Sequence, residues 1–186
     1  MNALVINCSP VRTGATAEIV RLTAEALSER LNVTAVCIDD YQIAFCKGCR
    51  LCHQTARCPQ QDDLSVFLRE WEAAHLIVAV SPSYWADVPG QFKAFIDRCT
   101  PYSNTHQPHA SLGAGKTGFA IVLRTGPGEQ ELQRLTETIR HFYGHLDIAW
   151  GGAAALCGVA QKEQVALHRQ ELEDFFRLIL QTMPSN

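Results

Sequence analysis

No apolar run in this chain approaches the ~20 residues that cross a bilayer. The opening MNALVINCSPVRTG lacks the basic start, long apolar stretch and small-residue cleavage site of a secretory signal. Nor is there a block of like charge: 16 basic residues are interspersed with 19 acidic ones, for a net charge of −3. These absences argue against a membrane or a nucleic acid as partner, and they set a cytoplasmic, reducing setting as the expectation. Repeats, low-complexity segments and linkers are missing too. The 186 residues therefore read as one domain, 1–186, large enough to bury its own core. What stands in excess is cysteine in one place. Four of the eight, Cys46, Cys49, Cys52 and Cys58, fall within 13 residues, where an even spread would place fewer than one. In a reducing compartment, clustered thiols bind metal or do redox chemistry more often than they staple a fold.

Apolar runs of strand length recur at Ala3–Cys8, Val33–Ile38, Leu76–Ser81, Thr117–Leu123 and Ile148–Leu156. Several are unbroken, as strands covered on both faces require. Amphipathic stretches lie between them. Thr16–Leu31 carries a stripe of Val20, Thr23, Ala24, Leu27 and Leu31, and Asp62–Trp71 carries Leu64, Phe67, Leu68 and Trp71. Pro89 opens a third helix in the first-turn position that proline tolerates. Gly144 closes a fourth, built on Leu132, Leu135, Ile139 and Phe142. A fifth, marked by Leu172, Phe175, Phe176 and Ile179, stops near Pro184. Five strands alternating with helices predict an α/β three-layer sandwich: a five-stranded parallel sheet in the flavodoxin-like order 2-1-3-4-5. Its ligand site belongs outside the C-terminal strand ends, in the loops after strands one, three and four.

The loop after strand one, Ser9-Pro-Val-Arg-Thr-Gly-Ala-Thr16, runs into a helix. Small and hydroxyl residues there let backbone amides approach an anion, and the helix N-terminus adds the positive end of its dipole. The same residues also fit a plain helix start with Thr16 as N-cap. Two rival loops fail on spacing. Only three residues separate Cys8 from Arg12, against the five of a low-molecular-weight tyrosine phosphatase, so Cys8 reads as a small residue ending a buried strand. Gly113-Ala-Gly-Lys-Thr117 has part of a Walker A loop, but Ala110 stands at its first glycine and it leads into a strand.

The run SPSYWADVPGQFKAFIDR, residues 81–98, resembles the flavin loop and following helix of flavodoxin-like NAD(P)H-dependent FMN reductases. CSPVRTGAT is similar to their phosphate loop, and Asp62-Asp63-Leu64 matches the acidic pair that starts their second helix. The resemblance implies that Ser9, Arg12, Gly14, Ala15 and Thr16 hold the FMN phosphate. It implies that Pro82, Ser83, Tyr84 and Trp85 lie along the isoalloxazine ring, with Thr125 and Gly126 facing its other side. Ala86 follows Trp85 where many relatives have glycine. The implied activity is hydride transfer from NAD(P)H to FMN and onward to a quinone, flavin or other small acceptor, in a homodimer or higher homo-oligomer. Flavin does that chemistry, so no side chain is assigned a catalytic role. A carrier that holds FMN without oxidising NAD(P)H, and a metal-stabilised binding protein, are the alternative functions.

The cysteine loop reads C-x2-C-x2-C-x5-C and resembles the compact motif of iron–sulfur flavoproteins. In ferredoxins a final x3 spacing sends the fourth cysteine to another cluster; x5 lets Cys58 return to the same one. A [4Fe–4S] cluster, a tetrahedral zinc and free or oxidised thiols all remain open on spacing alone, zinc behind the cluster. Cys37, Cys99 and Cys157 read as buried small residues. His75, His141, His145 and His168 show no ligand-like pairing, and His106 and His109 read as solvated.

Overall fold

The computed structural model describes residues 1–182. Strands β1 (Asn2–Asn7), β2 (Asn32–Cys37), β3 (Leu76–Pro82), β4 (Thr117–Leu123) and β5 (Ala149–Leu156) form one parallel sheet. Its order, β2-β1-β3-β4-β5, is the one the alternating pattern predicts. Side chains alternate across the strands with period two. Leu4, Ile6, Ile77, Ala79, Ala120 and Val122 face helices α3 (Leu64–Ala73), α4 (Gly90–Arg98) and α5 (Gln130–His145). Ala3, Val5, Val78, Val80, Phe119 and Ile121 face α1 (Ala15–Ser28) and α6 (Arg169–Gln181). The α3–α5 face is anchored by an aromatic group in which Trp71 meets Phe95 at 5.1 Å and Phe142 at 5.9 Å between ring centroids. A one-turn helix, α2 (Cys52–Thr55), interrupts the cysteine loop.

Several boundaries differ from the sequence reading, each for a local reason. Helix α1 ends at Ser28, three residues before Leu31, because the chain must turn for the Asn32 amide to reach the Met1 carbonyl and begin β2. Pro89 is the capping residue before α4 and not its first turn. Gly144 lies inside α5, which closes at Leu146. The left-handed residue there is Asp147 (φ 58°), held by Asn104 Nδ2 at 2.6 Å. Edge strand β2 is only partly covered, having one neighbouring strand, so it departs from the expectation of burial on both faces. Pro184, expected to stop α6, lies outside the described residues. No described helix is long and apolar enough to cross a membrane.

Lys116, from the Walker-like stretch, donates to the carbonyls of Glu72 (2.9 Å) and Ala74 (2.5 Å) and so closes the C-terminus of α3. Gly113 is required by packing: a Cβ there would lie 1.7 Å from the Leu146 carbonyl oxygen. The Lys116 ammonium, engaged by backbone carbonyls, is not free to meet a phosphate.

Candidate flavin and cysteine site

Parallel register brings the ends of β1, β3 and β4 to one edge, since Asn7 pairs with Val80 and Ser81 with Val122. The loop leaving β1 is folded on itself. Buried Asn7 accepts the Ser9 amide at 3.0 Å and donates to the Val11 carbonyl at 3.1 Å, while Ser9 Oγ accepts the Val11 amide at 3.1 Å. Gly14, not Thr16, caps α1. Its backbone is extended, no side chain caps the helix, and Thr16 is the second helical residue, buried. The first helical hydrogen bond runs from the Glu18 amide to the Gly14 carbonyl, so the amides of Ala15, Thr16 and Ala17 point out of the helix without intrahelical acceptors. That end carries the positive pole of the helix dipole. Arg12 beside it pairs with Asp39 and Asp40 on the turn after β2. Its hydrogen bond to Asp40 pushes the guanidinium pKa further up.

The loop leaving β3 makes a tight reversal. Tyr84 and Asp87 exchange backbone hydrogen bonds of 2.9 and 3.2 Å, and both central residues are left-handed, Trp85 at φ 57° and Ala86 at φ 63°. This mirror-image turn ordinarily takes Asn-Gly or Gly-Gly. For L-residues with side chains it costs roughly 1–2 kcal/mol each. Trp85 projects from the turn with 101% relative exposure, and Tyr84 is also exposed. Backbone strain that presents a bare indole to solvent has no stabilising purpose in the fold, which is where a ligand role is sought. Next to it, the Ser83 amide donates to the Leu123 carbonyl at 2.8 Å and its hydroxyl to Glu131 at 3.1 Å.

In the loop leaving β4, Arg124 folds back over the two glycines. Its guanidinium donates to the Gly128 carbonyl at 2.7 Å and faces Glu131 at 3.4 Å, and a Cβ at Gly126 or Gly128 would lie within 3 Å of it. Thr125 stands exposed and Gly126 half-buried beside it. The Arg124–Glu131–Ser83 bridge joins the two loops and was not signalled by sequence, because its members lie on three separate elements.

The cysteine loop follows β2 and the Ile38–Asp40 turn. Cys46 and Cys49 are exposed, Cys52 and Cys58 half-buried, and all are free thiols. Gly48, Arg50 and Ala56 are left-handed (φ 61°, 59° and 53°). Such alternations turn successive amides inward and form the concavities that hold anionic groups, iron–sulfur clusters among them. Burial, and after it the neighbouring Cys58, Cys46 and Cys49, push the Cys52 thiol up. Four thiols in such a loop suit an iron–sulfur cluster. They suit a four-cysteine zinc less well: bonds of about 2.3 Å draw sulfurs to about 3.8 Å, and among the described residues no three of them lie within 4.8 Å of one another.

Cys58 is tied down from α4. Arg98, fully buried, donates Nε–H to Cys58 Sγ at 3.2 Å, Nη1–H to Asp62 at 2.6 Å and to the Ala44 carbonyl at 2.8 Å. Desolvation raises the Asp62 pKa, but hydrogen bonds from Arg98 and from the Ala44 and Leu64 amides outweigh it and hold the carboxyl below its usual range. Cys99 is buried as expected, whereas Cys37 and Cys157 are only half-buried. Cys8 is fully buried, and burial pushes its thiol well up, in keeping with a packing role. Two histidine readings change. His106 is half-buried against Cys52 and His53, and His141 and His145 bring their Nε2 atoms to 2.9 Å.

The sequence matches the NADPH-dependent FMN reductase family over residues 1–161. The chain belongs to that family. An iron-sulfur flavoprotein of Archaeoglobus fulgidus is 33% identical over 132 residues, covering 70% of this chain and 58% of that protein. One of Methanocaldococcus jannaschii is 30% identical over 136 residues, covering 73% of this chain and 69% of that one. This FMN reductase family member thus spans less than two thirds of the Archaeoglobus protein's length. The NAD(P)H:quinone oxidoreductase of Methanothermobacter marburgensis superposes with a TM-score of 0.73 at 15% identity, covering 100% of this chain and 99% of that one. An FMN-dependent NADH-azoreductase from Bacillus anthracis, solved with FMN, gives 0.69 at 14% identity, covering 96% and 98%. These two likenesses establish the flavodoxin-like fold.

Proposed function

We propose that this chain is an FMN-dependent oxidoreductase that takes hydride from NAD(P)H and passes electrons to a quinone, a flavin or another small acceptor. The observation that carries the reading is the strained Trp85–Ala86 turn, which presents a fully exposed indole at the same sheet edge as the open first turn of α1. Bound FMN would supply the redox chemistry, accepting a hydride and releasing electrons, and a [4Fe–4S] cluster on Cys46, Cys49, Cys52 and Cys58 would take them singly. Ser9, Gly14, Ala15 and Thr16 shape the phosphate cradle, with the Ala15 and Thr16 amides as donors and Arg12 as the nearby charge. Pro82, Ser83, Tyr84 and Trp85 border the flat ring on one side, and Thr125 and Gly126 on the other. The names of the Archaeoglobus and Methanocaldococcus relatives support the cluster assignment.

A homodimer in a reducing, cytoplasmic setting completes the proposal. Exposed Val11, Phe45, Leu51, Tyr84 and Trp85 stand on the loops of the sheet edge, an apolar set suited to a second subunit. Eight free thiols suit the setting.

Anaerobic purification followed by an absorbance spectrum, iron and sulfide analysis, and NAD(P)H consumption with quinone or free flavin tests the reading. Flavin bands, iron with sulfide, and turnover are expected. Flavin without turnover on any acceptor would make the protein an electron carrier; absence of flavin affinity would remove the proposal.

A further inference from the structure

One side-chain cluster beyond the flavin loops has the donor chemistry of a mononuclear metal centre. Cys52 Sγ and a ring nitrogen from each of His53 and His106 lie within 4.8 Å of one another. The two imidazoles meet edge to face, with centroids 3.9 Å apart. His106 Nε2 is buried and has no hydrogen-bond partner among the described residues. A buried nitrogen left unpaired costs its full desolvation, and such an atom in a native structure calls for an unseen water or ion. The backbone fixes both sides of the cluster. Cys52 and His53 begin α2, while His106 arrives from the loop after Thr100–Tyr102. The His106 amide donates to the Ser103 carbonyl at 2.9 Å, and the His106 carbonyl accepts from His109 Nδ1 at 2.9 Å.

We propose that Cys52, His53 and His106 form a site for one borderline-soft divalent cation of the zinc class, with water in the fourth position. One sulfur and two imidazoles are the ligands this ion class takes in tetrahedral sites. Binding displaces the Cys52 proton to solvent and moves no electrons. Bonds of about 2.0–2.3 Å bring donor atoms to roughly 3.3–3.8 Å, so the three need close by at most about 1.5 Å around the ion. Cys52 is also one of the four cysteines assigned above to the iron–sulfur cluster, and its sulfur serves one centre at a time. Zinc and cluster therefore exclude each other, and zinc marks the chain in which the cluster is not built.

The test uses the full chain, stripped of metal and flavin under anaerobic reducing conditions and titrated with Co2+ as the probe. One equivalent is expected to give thiolate-to-cobalt charge-transfer absorption with tetrahedral d–d bands, displaced by Zn2+. Cys52→Ser should remove the charge-transfer band, and His106→Ala should weaken binding at least about tenfold, since even outer-shell changes cost 10–100-fold. Cys46→Ser and the double variant His141→Ala/His145→Ala should bind as the parent does. Wild-type affinity in His106→Ala, or loss of the band in Cys46→Ser, would place the metal on the four-cysteine set and overturn the proposal. Loss of binding in the His141/His145 variant would move it to α5 and do the same. Far-UV circular dichroism checks folding, with His106→Gln as the second variant. Because cobalt is read on flavin-free chain, this result and the FMN reading fail independently.

Discussion

Arg98 Nε and Cys58 Sγ, 3.2 Å apart, join the helix that follows the Trp85–Ala86 turn to the last cysteine of the loop. The same guanidinium closes on Asp62 with both its terminal nitrogens, at 2.6 and 3.2 Å, and neither partner is more than 11% exposed at its side chain. This guanidinium thus ties residues 44, 58 and 62 of the loop to the C-terminus of α4.

Breaking that pair from one side should be costly. Arg98→Met leaves Asp62 buried without its cation, and about 3–5 kcal/mol of stability should be lost. Urea unfolding measures it. Asp62→Asn tests the electrostatics by pH. The folded-state carboxyl lies below its unfolded value of about 3.9. Its contribution is therefore present above that value and is lost as pH falls through the folded one. The wild type should lose stability on acidification below about pH 4 more steeply than Asp62→Asn. Equal slopes would show that Asp62 is not the linked group.

Ala86→Gly should stabilise the chain. Relief of a left-handed alanine, roughly 1–2 kcal/mol, outweighs the glycine's greater unfolded-state entropy of roughly 0.5–1 kcal/mol. Thermal unfolding should rise by a degree or more, whereas Trp85→Ala should change stability little and weaken FMN binding. A destabilised Ala86→Gly would mean that the turn carries no strain.

Much of this was legible in the sequence, and the limit has a physical shape. Strand order followed from the alternation of apolar runs with amphipathic helices, because each rests on a local period. The edge at which β1, β3 and β4 end together followed with it. What stayed hidden depends on contacts between distant segments: Arg98 reads as a routine residue at a helix end until Asp62 and Cys58 close on it. His106 reads as solvated until Cys52 and His53 arrive. Thr16 was a reasonable helix cap on composition, but an extended Gly14 takes that position. Ala86 carried a signal, an alanine where glycine is customary, and the structure gives it a left-handed backbone.

Arg12 should carry the charge that FMN phosphate meets. Arg12→Gln is expected to weaken FMN binding by about an order of magnitude, as loss of a charge-assisted hydrogen bond does. Riboflavin, which lacks the phosphate, should bind both proteins alike. Flavin fluorescence titration reads both. An equal loss for riboflavin would place Arg12 against the ring or ribityl chain.

Gly113→Ala should destabilise the chain by about 3 kcal/mol, the upper part of the overpacking range. The added Cβ meets a backbone carbonyl, which cannot rotate away as a side chain would. Gly115→Ala, with open space around its Cβ but φ 76°, should cost less, about 1 kcal/mol. Equal losses in chemical denaturation would show that conformation and not contact governs Gly113.

Helix α4 begins one residue after Pro89, at the foot of the Trp85–Ala86 turn, and ends at Arg98. At 1.5 Å per residue its nine residues span about 12 Å, and that length acts as a ruler between the aromatic turn and the cysteine loop. Adding one residue would advance Arg98 by about 1.5 Å and swing it through about 100°, away from both Asp62 and Cys58. The spacing between the aromatic turn and the cysteine loop is thereby written into the residue count of one short helix.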